Sequence, residues 1–254
     1  MNRSQLKEFL DEKVFQYQQP LFIESDPIQI PHQFSRKEDI EIAGFLVATI
    51  AWGNRTMILN SGKRMMELLD NAPYDFVMNH SESDLKSLES FVHRTFQGID
   101  LIYFIEALQN IYHKHNGLEE VLKPKTSDNN YKESISNFKQ LFFSKNHLHR
   151  TEKHISDPNK NSAAKRINMY LRWMVRESKS GVDFGIWKSH NTAHLSCPLD
   201  VHSGRVARKL RLLKRTQNDW KAVIELDIAL RKMDKNDPVK YDFALFGLGV
   251  FEKF

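Results

Sequence analysis

The sequence has few of the residues that cross-link or interrupt a chain. Its 254 residues include one cysteine, Cys197, which excludes an intramolecular disulfide and a four-cysteine metal or iron–sulfur site. It has only 10 glycines and 8 prolines, and alternating runs bounded by turn residues are scarce, so strands are not favoured. No run approaches the roughly 18 apolar residues of a membrane span, and residues 1–15 lack the apolar stretch of a signal peptide. We expect an all-α, cytoplasmic protein without a membrane partner.

Positive charge is concentrated in one part of the chain. Residues 139–215 contain 17 Lys or Arg and 5 Asp or Glu, a balance of +12, whereas the whole chain carries +5. The remainder is therefore acidic. A basic region beside an acidic one favours a polyanionic partner such as nucleic acid, although a basic face that is merely solvated is the alternative.

Apolar residues recur with helical spacing over most of the chain. The stretch 18–34, with three prolines, is expected to be extended, and 144–163 and 178–198 are expected to be loops. Ser35 followed by Glu38 predicts a capping box, and Gly117 predicts a helix C-terminus. The expected helices cover about 4–13, 36–52, 56–69, 73–79, 84–91, 98–117, 131–143, 163–176, 201–213, 217–231 and 238–250.

Lys165 is the first candidate for chemistry. It falls in the first turn of a predicted helix, directly after a basic loop. A helix N-terminus and neighbouring cations disfavour the protonated amine, which suits an amine nucleophile at neutral pH. Alternatively, Lys165 is an ordinary solvated surface lysine.

Asp200 is the second candidate, in the segment Pro198–Leu199–Asp200 that leads into a predicted helix. It occupies the N-cap position, where a carboxylate accepts hydrogen bonds from the first backbone amides. The capping role alone explains its presence. A capping carboxylate that is held ionised can also stabilise a substrate cation forming beside it.

A third candidate is the turn of Gly53, Asn54 and Arg55, which follows an apolar helix and precedes another helix. A short polar turn of this kind can enter a groove, or it can be an ordinary helix–helix connection.

The segment PLDVHSGRVARKLRLL, residues 198–213, resembles helix-hairpin-helix DNA glycosylases, a superfamily that includes endonuclease III and the 8-oxoguanine glycosylases. More closely, the chain resembles an uncharacterised bacterial family related to archaeal 8-oxoguanine DNA glycosylases. The resemblance runs in order over about residues 36–250. It implies that Asp200 is the catalytic carboxylate, that Lys165 is the catalytic amine, and that Asn54 or Arg55 is the residue that wedges into the duplex.

The resemblance also implies a two-lobed helical fold with the site between the lobes. We expect one lobe over about 45–140 and a second, carrying the hairpin and the catalytic residues, over 1–44 and 141–254. The DNA-binding residues implied are Lys160, Asn161, Ser162, Arg166, His202 and Arg205. The aromatic candidates for enclosing an extruded base are Trp52, Phe184, Trp187 and Phe251.

Two departures from the superfamily pattern stand out. The hairpin is usually glycine-rich, of the form L-P-G-V-G, whereas PNKNSAAK at 158–165 contains no glycine, which puts its backbone contact to phosphate in doubt. The separation of 35 positions from Lys165 to Asp200 exceeds the usual spacing, so the 178–198 loop must absorb the excess. The cysteine cluster of endonuclease III is absent, and neither a metal nor another cofactor is expected.

These features together predict a base-excision repair glycosylase with lyase activity, which removes a damaged base, an oxidised purine, through a Schiff base on Lys165. Its expected partner is double-stranded DNA that contains the damaged base, and the protein is expected to associate with the nucleoid when it is bound. We also expect it to be a monomer. A DNA-binding protein without catalytic activity is the main alternative. A helical protein-interaction scaffold without DNA affinity is another.

Overall fold

The structure, a computed structural model, describes residues 2–125 and 128–254 and is all-α. One short antiparallel hairpin accompanies the helices, formed by β1 (Val92–His93) and β2 (Phe96–Gln97). The helices are α1 (Arg3–Tyr17), α2 (Pro20–Ser25), α3 (Lys37–Thr49), α4 (Arg55–Leu68), α5 (Pro73–Asn79), α6 (Glu82–Ser87), α7 (Gly98–Lys114), α8 (Gly117–Val121), α9 (Lys132–Phe142), α10 (Lys165–Val175), α11 (Val201–Lys209), α12 (Trp220–Arg231) and α13 (Tyr241–Val250).

The predicted extended stretch at 18–34 is wrong. It folds into α2 and two 3-10 turns, Pro27–Gln29 and Pro31–Gln33, each beginning at a proline. Proline is favoured at the first position of a helix because its fixed φ suits that position and its missing N–H would have no partner there. The three prolines therefore start helical turns instead of preventing them.

The predicted cap at Ser35 is also wrong. Helix α3 begins one residue later than expected, with Arg36 at its N-cap and no side-chain cap. Glu38 instead accepts a hydrogen bond from Arg36 Nε at 3.1 Å, and the Arg36 guanidinium lies over the Tyr74 ring at 4.1 Å. These contacts place the helix start at Lys37.

Gly117 does not cap α7. That helix ends at Lys114, and its C-cap is His115. Asn116 and Gly117 then adopt positive φ values of 58° and 86°, which turn the chain into α8. Gly117 thus begins a helix rather than ending one.

The chain divides into two compact units. Unit 1 comprises residues 1–22, 124–133 and 157–254, and unit 2 comprises 23–123 and 134–156. The division differs from the expected lobes, because 23–44 and 141–156 belong to unit 2 rather than to the unit that carries Lys165.

Unit 2 is built around phenylalanine rings. Phe45, on the buried helix α3, packs against Phe104 of α7 at 5.9 Å and against Phe138 and Phe142 of α9 at 5.6 Å each. Helix α3 is apolar on most sides and runs through this core, as its sequence predicts.

Unit 1 is built around α10 and α13. Trp173 and Tyr170 of α10 and Phe243 of α13 are fully buried. Helix α13 also packs against α1, where Tyr17 stacks on Phe251 at 5.6 Å. Arg172 of α10 lies over the Phe243 ring of α13 at 4.3 Å, which joins the helix that begins at Lys165 to this core. Over the two described ranges, no helix is both long and apolar enough to cross a membrane.

Candidate active site

The structure brings Lys165 and Asp200 together within unit 1. Lys165 is the first residue of α10, Asp200 is the N-cap of α11, and the Lys165 amine lies 4.0 Å from Asp200 Oδ2. Both side chains are partly exposed, 30% and 23% respectively. An amine and a carboxylate that face each other at a surface are accessible to a substrate.

The two oxygens of Asp200 have different surroundings. Oδ1 accepts hydrogen bonds from the backbone N–H groups of His202 and Ser203, at 2.8 and 2.9 Å, and from the Ser203 hydroxyl at 3.2 Å. The Ser203 hydroxyl in turn accepts from the Asp200 N–H, which completes a capping box. Oδ2 is the oxygen nearest Lys165. Capping and chemistry are therefore compatible in one side chain, because each uses its own oxygen.

A buried charge network anchors α10 two turns beyond Lys165. Arg172 donates to Asp183 Oδ1 at 3.2 Å and to Asp242 Oδ2 on α13. Arg176 donates to the other oxygen of Asp183 at 2.8 Å and also to Asp237. These ion pairs tie α10 to the 178–198 loop and to the segment that carries α13. They hold the helix that presents the amine.

Asp242 links this network to the candidate pair. Burial raises the pKa of Asp242 to about 6; Arg172 and Lys165 oppose this shift, and the charge of Asp200 adds to it. Asp242 Oδ1 also accepts a long hydrogen bond, 3.7 Å, from the Cys197 thiol. An aspartate in the otherwise apolar sequence of α13 is the signal that could have identified it, because buried carboxylates require partners.

The hairpin before α10 lacks glycine but retains left-handed backbone geometry. Asn161 and Ala164 have φ values of 62° and 47°. Its amides are largely used within the segment: those of Lys160 and Ser162 donate to Asp157 O, and that of Ala164 donates to the Ser162 hydroxyl. The hairpin therefore offers few free amides to a phosphate, whereas the first turn of α10 has no side-chain cap.

The hairpin is attached to α12 through Asp219. The Asn161 amide donates to Asp219 Oδ2 at 3.1 Å, and the Trp220 N–H donates to Asn161 O at 3.2 Å. The hydrogen bond from Arg215 is the main reason that the pKa of Asp219 lies well below its usual range. The carboxylate therefore stays ionised and holds the hairpin in place.

The other predicted DNA-binding residues of unit 1 differ in how exposed their side chains are and in the hydrogen bonds that they make. Lys160 and His202 are exposed. Arg166 is half-buried, and burial lowers its pKa to about 10. Arg205 donates to Gly249 O at 2.9 Å, so part of its guanidinium caps the end of α13.

The predicted aromatic residues of unit 1 do not form one group. Trp187 is 1% exposed and packs edge-on against Tyr170 at 5.5 Å, so it belongs to the core rather than to an open pocket. Phe184 is half-buried. Phe251 is 52% exposed and stacks on Tyr17, which leaves it the most accessible ring of the three.

The predicted wedge residues lie in unit 2. Asn54 is exposed and caps α4 by accepting from the Met57 N–H at 3.3 Å. Arg55 donates to the Ser25 hydroxyl at 3.3 Å and lies 3.9 Å from an Asp26 oxygen. Trp52, half-buried, packs with the rings of His93 and His154.

Arg94 is the functional candidate that the sequence does not reveal. It lies at the tip of the β1–β2 hairpin. Its side chain contacts Gly53 in the turn of Gly53, Asn54 and Arg55, which we call the wedge turn. Two-residue strands are too short for a period-2 pattern, and the turn lacks the Asn-Gly or Asp-Gly signature. In the part of the chain that the structure describes, no group of three or more His, Cys, Asp or Glu could hold a metal ion.

Comparison with known proteins identifies a family but no activity. A family model described as "Protein of unknown function (DUF2400)" matches residues 26–251, which is most of the chain. No curated protein and no solved structure matches.

Proposed function

The chain belongs to the DUF2400 family, and we propose that it is a DNA glycosylase with lyase activity that acts through Lys165 and Asp200. The observation that carries the proposal is the 4.0 Å approach of the Lys165 amine to Asp200 Oδ2 while Oδ1 is engaged in the cap. The resemblance to helix-hairpin-helix glycosylases and the basic balance of residues 139–215 support DNA as the substrate.

The proposed reaction begins with transfer of a proton from the Lys165 ammonium, with Asp200 Oδ2 as the nearest acceptor. The free amine then attacks the anomeric carbon of the damaged nucleotide, and the glycosidic bond breaks with its electron pair leaving on the base. The departing base takes the proton from Asp200, and the carboxylate that this restores stabilises the cationic sugar and the new ammonium adduct. Charge is therefore balanced over the step.

The lyase step follows from the covalent intermediate. Opening of the sugar ring converts the amine adduct into a Schiff base. Loss of a proton from the sugar then allows β-elimination, in which the 3′ phosphate leaves with the electron pair of the broken C–O bond. Hydrolysis returns the free Lys165 amine. The base must leave the stack before any of these steps, which requires an accessible site such as the partly exposed pair.

The substrate class follows from the resemblance, which points to an oxidised purine in double-stranded DNA. Lys160, five residues before Lys165, is exposed and supplies a positive charge for a phosphate. We propose that the protein works as a monomer and needs no cofactor for this chemistry.

The test is borohydride trapping on a panel of lesion duplexes that includes 8-oxoguanine opposite each base. Wild type should give a covalent complex on the correct lesion, and Lys165→Ala should give none. Lys235→Ala is the matched control, since it removes an exposed lysine of the same unit that takes part in no proposed contact, and it should trap normally. Trapping that persists in Lys165→Ala would transfer the role to another lysine.

Asp200→Asn separates the cap from the chemistry. Asparagine keeps an acceptor for the amides of His202 and Ser203, so helix α11 should remain stable. The amide that replaces Oδ2 cannot take a proton or offset a cation, so the rate should fall by about 10²–10³-fold. A stable and fully active variant would show that Asp200 is a cap only.

The same panel distinguishes the alternatives. DNA binding without trapping on any lesion would indicate a non-catalytic DNA-binding protein. Absence of DNA binding would indicate an interaction scaffold.

A further inference from the structure

Arg94 is an exposed cation in an unusual backbone position. It forms the two-residue turn between β1 and β2 together with Thr95, and its φ is +55°. A non-glycine residue at positive φ is held there by its surroundings and often serves a function. Across residues 2–125 and 128–254, no side chain or backbone group is hydrogen-bonded or ion-paired with the Arg94 guanidinium. Its donors remain available to a ligand.

The Arg94 side chain lies against the wedge turn. A Cβ built on Gly53 would be 2.8 Å from Arg94 Nη1 and 3.3 Å from its Cδ, and Gly53 has a φ of +98°. Only glycine permits both this approach and this backbone conformation. The absence of a side chain at Gly53 therefore lets Arg94 lie against this turn.

The hairpin tip is supported from both sides. On one side, buried His93 contacts the Ser61 hydroxyl at 2.8 Å and packs edge-on with Trp52 at 5.1 Å. On the other, Arg150 donates to Thr95 O and to Gln97 Oε1, both at 2.9 Å. The tip is thus a fixed platform and not a loose loop.

Positive charge continues from this tip along unit 2. Arg150, which is paired with Asp100 at 3.2 Å, lines a cleft of about 380 Å³ with Lys139 and Lys153, beside His149 and Glu152. Arg55, by contrast, is partly neutralised by Asp26. Of the two arginines at this turn, Arg94 is the one that has no acidic partner among the residues that the structure describes.

We infer that Arg94, rather than Arg55, is the cation at this turn that binds the DNA, through a backbone phosphate, and that the surface from Arg94 to Lys153 extends the contact along the strand. The ligand is a polyanionic duplex, because the guanidinium provides planar, permanently charged donors that match phosphate oxygens. This inference rests on the proposed function for the identity of the polyanion.

The experiment measures equilibrium binding to a short duplex that carries a tetrahydrofuran abasic-site analogue, which cannot form a Schiff base, at salt concentrations from roughly 0.05 to 0.2 M. Loss of one phosphate contact should make the log–log salt slope shallower by about 0.9 and weaken binding about eightfold at roughly 0.1 M salt. Arg94→Ala should show this change, and Arg94→Lys should largely restore the slope.

Two further variants serve as controls. Lys114→Ala removes one exposed cation from the same unit at the far end of α7, which has 17 residues, and should bind like wild type. Arg55→Ala should change the slope less than Arg94→Ala, because Asp26 already offsets its charge. Thermal unfolding should confirm that every variant is folded.

The outcomes keep the two proposals apart. Binding that is unchanged in Arg94→Ala, or a larger change of slope in Arg55→Ala, overturns this inference, whatever the trapping experiment gives. A shallower slope in Arg94→Ala without any trapping supports the phosphate contact and removes the glycosylase. A wild-type chain that does not bind duplex overturns the inference directly.

Discussion

Each unit uses a buried aspartate to hold the segment that carries its candidate function, but the partners of the two aspartates differ. In unit 1, Asp242 faces the guanidinium of Arg172, itself 3% exposed. In unit 2, Asp100 accepts from the Gln97 N–H at 2.9 Å and from the Thr151 hydroxyl at 2.7 Å. Its cationic partner, Arg150, is partly exposed.

The two aspartates should respond differently when a mutation removes one of the residues that pair with them. A buried ion pair that loses one member leaves an uncompensated charge, which costs several kcal/mol. An aspartate with several neutral donors loses one hydrogen bond at a time. The site of unit 1 should therefore be sensitive to mutation and to pH, whereas the hairpin of unit 2 should tolerate single changes better.

The largest effect is expected for Arg172→Ala. It leaves Asp242 without its cation and deprives Asp183 of one of two, so the free energy of unfolding should fall by about 3–5 kcal/mol. Urea unfolding followed by tryptophan fluorescence measures it, since three of the four tryptophans lie in unit 1. Lys188→Ala, which breaks an exposed pair with Glu177, should cost less than about 1 kcal/mol. Equal losses would remove the distinction between the two kinds of pair.

A pH dependence is expected next. Asp242 has a pKa of about 6 in the folded chain, above the value of about 4 for an unfolded aspartate. The folded state therefore holds a proton that the unfolded state has released, and its stabilisation is lost as pH rises from about 4 to 6. Relative to Asp242→Asn, wild type should lose about 3 kcal/mol at most over that range.

Unfolding curves of wild type and Asp242→Asn at several pH values measure this difference. Asp227→Asn is the comparison variant, since burial also raises the pKa of Asp227 to about 6, and the two contributions should be separable. A constant difference between wild type and Asp242→Asn across the range would contradict the assignment.

The smallest effect is expected for Thr151→Val in unit 2. Valine has nearly the same shape but removes one hydrogen bond to Asp100, and the carboxylate keeps its other donors. A loss of about 2 kcal/mol in the free energy of unfolding is expected, as measured by urea unfolding and circular dichroism. Borohydride trapping by folded protein should not change. A loss as large as that of Arg172→Ala would show that the two aspartates are equivalent.

The sequence predicts the helices better than their ends. Helix α4 is predicted within one residue because the helical spacing of its apolar residues is clear. The cap of α3 is predicted wrongly, because Arg36 rather than Ser35 is the N-cap and Glu38 accepts from Arg36, whose guanidinium lies over Tyr74, a residue distant in sequence. Local propensity contains no information about such a contact.

The candidate site also depends on contacts between residues distant in sequence, which local patterns do not predict. Lys165 and Asp200 can be identified by type and position, but their 4.0 Å separation depends on the course of the 178–198 loop. Asp242 and Arg172 are 70 residues apart and meet only through packing of α10 against α13. Arg94 carries no local signal, since its importance comes from the missing side chain of Gly53.

The packing of α1 against α13 has a consequence for the order in which the chain folds during synthesis. Unit 2 has all its residues once position 156 has been made, but Tyr17 must wait for Phe251, and Lys13 for Glu252. At about 5–20 residues per second, the remaining 98 residues take roughly 5–20 seconds to translate. During that interval unit 2 can fold while α1 has no partner helix, so unit 1 is completed after unit 2.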